Sequence, residues 1–188
     1  HIKEGGYELY QEMREEAGAN LRAGGAADDV EERWSPQISV GTPVMIPEEY
    51  VPDLTLRLGL YRRLGDLDEA GDIDGFAAEL VDRFGPLPAE VEHLLKIVYI
   101  KGMCRKANVE KVDTGPKGIV IAFRGGVFPN PVGLVRYISE QGSLAKIRPD
   151  HRVALTRDWA TPEDRLTGTA SILTKLVRIA GEGQKKVA

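Results

Sequence analysis

The feature that most constrains this chain is a change of hydrophobic period near Asn108. The helices before it carry apolar residues every three to four positions; directly after it come the extended runs Val109 to Thr114 and Ile119 to Arg124. The order is helices, then a small sheet, then a helix. The pattern predicts α+β, a mainly helical N-terminal part followed by a small antiparallel sheet flanked by helices.

The elements follow from local signals. Leu9, Met13, Ala17 and Leu21 recur every four residues and predict a connecting helix over 7–22. The stretch 23–36, AGGAADDVEERWSP, is acidic and aperiodic, as expected of a mobile linker. Ile38, Val40, Val44 and Ile46 predict a strand interrupted at Gly41-Thr42-Pro43, and its proline favours an edge. Asp53 is placed to cap a helix carrying Leu54, Leu56, Leu58, Leu60, Tyr61 and Leu64, so rich in leucine that it is expected to be mostly buried.

A second helix is expected over about 72–84, with Phe76, Leu80 and Phe84 on one side, stopped by Gly85-Pro86. Pro88 opens a third, to about 107, with Glu90 and Glu92 early and Lys101, Arg105 and Lys106 late, the polarity a helix dipole favours. Two runs either side of Gly115-Pro116-Lys117-Gly118 read as a β-hairpin. A helix over 131–140, strands near 144–148 and 152–156, and a last helix opened by Thr161-Pro162-Glu163-Asp164 complete the order.

Several function classes have little to stand on. No stretch approaches the roughly 20 apolar residues of a membrane span. His1, His93 and His151 lie far apart, outside any metal-ligand spacing, and no phosphate-binding glycine motif occurs. The paired acids Asp28-Asp29, Glu31-Glu32 and Glu48-Glu49 read as solvated charge. Cys104, the single cysteine, reads as a buried small hydrophobe, and its solitude suits a reducing cytoplasm. The chain begins at His1 with no basic-then-apolar leader, as expected of a piece of a longer, non-secreted protein.

Charge is distributed unevenly. Residues 1–100 hold 21 acidic and 9 basic side chains, net −12, and residues 101–188 hold 8 and 16, net +8. The two halves can attract each other within one fold, or the basic half, 101–188, can meet nucleic acid. Arg57, Arg62 and Arg63 are expected to pair internally with the surrounding acids.

One cluster stands out on helical geometry. At about 100° per residue, Glu79, Asp82 and Arg83 share an arc next to the one holding Phe76, Leu80 and Phe84. This describes an ordinary amphipathic helix with a Glu79–Arg83 i,i+4 pair, and equally a rigid charged trio able to set the register of a partner.

The run IPEEYVPDLTLRLGLYRRL, 46–64, followed by ELVDRFGPLP, 79–88, resembles the C-terminal module of the bacterial transcription-repair coupling factor (Mfd) family, and HIKEGGYELYQEM resembles the segment leaving that family's motor. The resemblance implies a regulatory domain over 37–188, preceded by the connecting helix and the linker, with no catalytic residues and no cofactor of its own; the parent would use ATP and Mg²⁺. It implies packing on a UvrB-like N-terminal module, which hides the UvrA-docking surface and restrains the DNA translocase until RNA polymerase is engaged. The family's clamp contacts match Glu79, Asp82 and Arg83. Direct DNA binding is not expected on this reading.

Overall fold

The computed structural model describes Tyr7 and residues 34–185. The expected helix over 7–22 and the linker up to residue 33 otherwise lie outside the described residues. Five helices and five strands follow in the order β1 (Gln37–Ser39), α1 (Leu54–Gly65), α2 (Ala70–Phe84), α3 (Ala89–Lys106), β2 (Val109–Gly115), β3 (Gly118–Phe123), α4 (Pro131–Glu140), β4 (Ala145–Ile147), β5 (Val153–Thr156) and α5 (Pro162–Lys185). The fold is α+β, and the change of period at Asn108 marks the passage from α3 to the β2–β3 hairpin.

The caps explain several boundaries. Asp53 accepts from the Leu56 amide at 2.8 Å and opens α1. Thr161 accepts from the Asp164 amide at 3.1 Å at the start of α5. Asn130 accepts from the Gly133 amide, fixing the start of α4, while its amide group donates to the Ile179 carbonyl of α5. At Gly85 the backbone reaches φ +94°, where an L side chain is strained, and α2 stops.

The sheet order is β1-β2-β3-β5-β4. Four of the strands form an antiparallel set, but β1 pairs parallel to β2 through Ile38 and Val112, so the sheet is mixed and not purely antiparallel. A parallel partner needs a long crossover, and α1, α2 and α3 supply it. β1 is an edge strand, yet only three residues long. Gly41, at φ +70°, turns the chain out of the ladder, and Val44 and Ile46 are buried without strand pairing.

Helix α3 is the centre of the fold. It is buried over most of its circumference, with Val91, Leu94, Ile97, Ile100 and Cys104 almost wholly enclosed, and it packs along α5 and against β1 and β2. The backbone carbonyl of Asp68 approaches so closely that a Cβ at Gly102 would lie 3.0 Å from its oxygen. Burial of α1 is narrower than its leucine content predicts: Leu60, Tyr61 and Leu64 are buried, whereas Leu54 and Leu58 are 59% and 41% exposed.

Residues 34–36, expected to end the linker, are docked on α3. Arg105 donates to the Trp34 carbonyl at 3.1 Å and to Asp68 at 2.9 Å. Lys101, almost fully buried, reaches the Ser35 hydroxyl and lies 4.9 Å from the centre of the Tyr7 ring. Arg124 lies over the Trp34 ring.

Candidate functional site: the charged face of helix α2

Helix α2 buries Ile73, Phe76 and Leu80 and turns its opposite side to solvent. Its C-terminal end is held from outside the helix. The Tyr50 hydroxyl donates across the Leu80 and Gly85 carbonyls, at 3.1 and 2.8 Å, and the Tyr50 ring packs on Phe84 with centroids 5.7 Å apart. The hydroxyl is shared between a carbonyl of the helix and the one just past its end, which ties the turn carrying Asp82 and Arg83 to the segment before α1.

Glu79 and Arg83 come together as their spacing predicts, with Arg83 Nη1 3.1 Å from Glu79 Oε2. The stronger partner of Glu79 is Arg63, one helix earlier: its fork donates to both carboxylate oxygens, the Nη2 to Oε1 bond measuring 2.9 Å. These bonds, from Arg63 first and Arg83 second, hold the Glu79 carboxyl at about 2, well below the usual carboxylate range.

Both guanidinium groups also lie over aromatic rings, Arg63 over Phe76 at 4.9 Å and Arg83 over Phe84 at 5.0 Å. The result is an ionic ladder, Arg63–Glu79–Arg83, braced on the apolar stripe beneath it. It remains partly open to solvent, with side-chain exposures of 48, 35 and 40%.

Asp82 stands apart. It is exposed and makes no hydrogen bond or ion pair among the described residues. The face therefore presents one unengaged carboxylate, Asp82, beside a ladder carrying a net positive charge. Sequence spacing located Glu79, Asp82 and Arg83 but could not show that Arg63 neutralises Glu79; an arginine 16 residues away has no periodic signature.

The other charged candidates behave differently. Arg57 donates to the Val51 carbonyl at 2.8 Å and not to an acid, so of the three arginines expected to pair internally it is backbone that holds this one, and Arg63 that meets an acid. Arg62 is exposed with no ion pair among the described residues.

His93 is buried on α3, with Nε2 3.1 Å from Glu163 Oε1, while His151 is exposed in the β4–β5 turn at φ +67°. Cys104 is sealed, and desolvation pushes its thiol up to about 12 despite the opposing pull of Lys101 and Arg105. Among the described residues no three His, Cys, Asp or Glu side chains are grouped to hold a metal, and no helix is long and apolar enough to cross a membrane.

The TRCF domain family model matches residues 40–133, a span that contains α1, α2 and α3. The chain is 40% identical over 159 residues to the transcription-repair-coupling factor of Rickettsia prowazekii, covering 83% of this chain and 14% of that protein. To the Escherichia coli transcription-repair-coupling factor it is 27% identical over 173 residues, covering 91% and 15%.

The crystal structure of a C-terminal domain of transcription-repair coupling factor superposes with a TM-score of 0.66 at 19% identity, over 80% of this chain and 98% of that one. The chain thus spans about a seventh of the length of these full-length relatives. Its match to the family model and its identity to the rickettsial proteins show that this chain belongs to the TRCF domain family of transcription-repair coupling factors.

Proposed function

We propose that this domain is an autoinhibitory latch within a transcription-repair coupling factor, packing on a UvrB-like N-terminal module of the same protein. In the closed state it masks the UvrA-docking surface and restrains the ATP-dependent DNA translocase; engagement of RNA polymerase releases it. The role is regulatory and draws on no cofactor within the domain. ATP and Mg²⁺ serve the motor.

The observation that carries this reading is the face of α2: a solvent-open ladder of Arg63, Glu79 and Arg83 with Asp82 unengaged beside it, on a helix end pinned by Tyr50. Polar contacts on a rigid frame suit a closed state that must reopen. They set register and lose little on re-exposure to water. Tethering supplies the remaining strength, because a module joined to its partner meets it at an effective concentration near millimolar, so that even a weak interface stays closed. A competitor that binds only the open state then shifts the population.

The test is made in the full-length coupling factor. Asp82→Lys reverses an exposed charge that bonds nothing among the described residues, and Arg83→Glu reverses the outer rung of the ladder. Removing one charge-assisted hydrogen bond weakens an interface by roughly tenfold, so the pair should raise both basal ATP hydrolysis and UvrA binding severalfold. If both stay at the unmutated values while the variant melts normally, the latch reading is refuted.

A further inference from the structure

Away from this ladder, in the second half of the chain, helices α4 and α5 and the segment following β5 enclose a cleft of about 650 Å³ whose charge is all of one sign. Arg157, Lys175 and Arg178 line it, and no carboxylate does. None of the three forms an ion pair among the described residues.

The cations are positioned, not scattered. Arg157 donates from Nη1 to the Thr156 carbonyl and from Nη2 to Gln141 Oε1, both at 2.8 Å, so neutral acceptors fix the guanidinium and leave its charge uncompensated. Lys175 and Arg178 are three apart on α5 and project from one face of the helix. Tyr137, largely buried on α4, adds a hydroxyl that no described group engages, close enough to Arg157 to feel its charge.

The wall opposite is made by Trp159, whose indole lies directly on Gly168. A Cβ there would come within 2.2 Å of the ring, so α5 can accept the indole only at a glycine. A smaller adjoining hollow shares Tyr137, Lys175 and Arg178 and is also lined by Arg136, Glu140 and Glu182.

We infer that this cleft binds a phosphate group, carried either by a free polyphosphate or by a nucleic-acid backbone. One guanidinium fixed by neutral acceptors, two exposed cations from α5 and a phenol from α4 border the same cleft, so donors reach it from three segments, which suits the tetrahedral array of phosphate oxygens better than the two coplanar oxygens of a carboxylate. Trp159 and Tyr137 are too enclosed to stack on a base, so recognition stops at the phosphate. The site lies apart from α2, and it stands or falls independently of the latch.

The experiment uses the 188-residue chain with two probes, inorganic pyrophosphate by titration calorimetry and a short DNA duplex by fluorescence anisotropy. Lys175→Gln with Arg178→Gln, both at exposed positions, should weaken binding by about tenfold or more, whereas Lys146→Gln on β4, outside the cleft, should not. Duplex affinity should fall with salt at a slope of about −0.9 for each backbone phosphate the cleft holds. Pyrophosphate binding weakened in this way by the double variant identifies a free phosphate ligand; duplex binding alone, weakened in the same way, identifies a backbone. Binding of neither probe, or equal weakening in the Lys146 variant, overturns the inference.

Discussion

Substituting Gly118 by alanine tests the register that carries the β5 side of the molecule. Gly118 begins β3 opposite Thr156 of β5, with φ at +137°. A Cβ at this position would lie 2.0 Å from the Leu155 carbonyl oxygen and 2.9 Å from the Arg157 amide, both backbone atoms, so no side-chain rotation relieves the clash. The backbone strain alone costs about 1–3 kcal/mol. Moving β5 away to make room forfeits one or two ladder bonds at about 1 kcal/mol each.

The sum, about 2–5 kcal/mol, is a large share of the roughly 5–15 kcal/mol that holds a domain folded. It translates into a melting point lower by roughly 4–20 °C for a domain of this size. Thermal melting by circular dichroism reads the destabilisation, and amide exchange should show it first in Val153–Thr156. Gly75→Ala is the matched control: the site is exposed within α2, its Cβ would meet nothing within 4 Å, and helix propensity predicts a gain of about 1 kcal/mol. A Gly118→Ala melting point within about 2 °C of the parent would refute the argument.

Two further outcomes follow from the ionisable groups. The Glu79 carboxyl titrates near 2, below its ordinary 4.5, so the stabilisation from its arginines is fully present above about 4.5 and drains away as pH falls towards 2. Carboxyl-detected NMR should place the midpoint there, and Arg63→Met should raise it; a midpoint that does not move contradicts the ladder. Cys104, sealed and with its thiol pushed up to about 12, should react with a disulfide reagent under mildly alkaline conditions only as fast as the domain opens. Labelling at the rate of a free thiol would show that α3 is not packed as described.

Local chemistry in the sequence was a good guide wherever an element is decided within a few residues. Asp53, Gly85, Pro88 and Thr161 mark helix ends, and Gly115 to Gly118 mark the hairpin, because caps and turns are satisfied by near neighbours. What eluded it depends on distant partners. The leucines of α1 recur with both two-residue and helical spacing, and only packing against the rest of the fold selects Leu60, Tyr61 and Leu64 over Leu54 and Leu58.

The parallel pairing of β1 joins Ile38 to Val112, far along the chain, and a three-residue strand holds no signal of its direction. The face of α2 was half legible: helical geometry places Glu79, Asp82 and Arg83 together, while Arg63 belongs to another helix. The cationic cleft was not legible at all, since Tyr137, Arg157 and Lys175 come from three separate segments and share no spacing.

The docking of Trp34 and Ser35 on the end of α3 makes the domain's entrance a mechanical joint. A pull on the preceding chain is taken up first by Arg105, Lys101 and the short β1 ladder, and from there by the central helix, so that load reaches the interior before it reaches any turn. The domain would therefore answer traction as a single rigid handle.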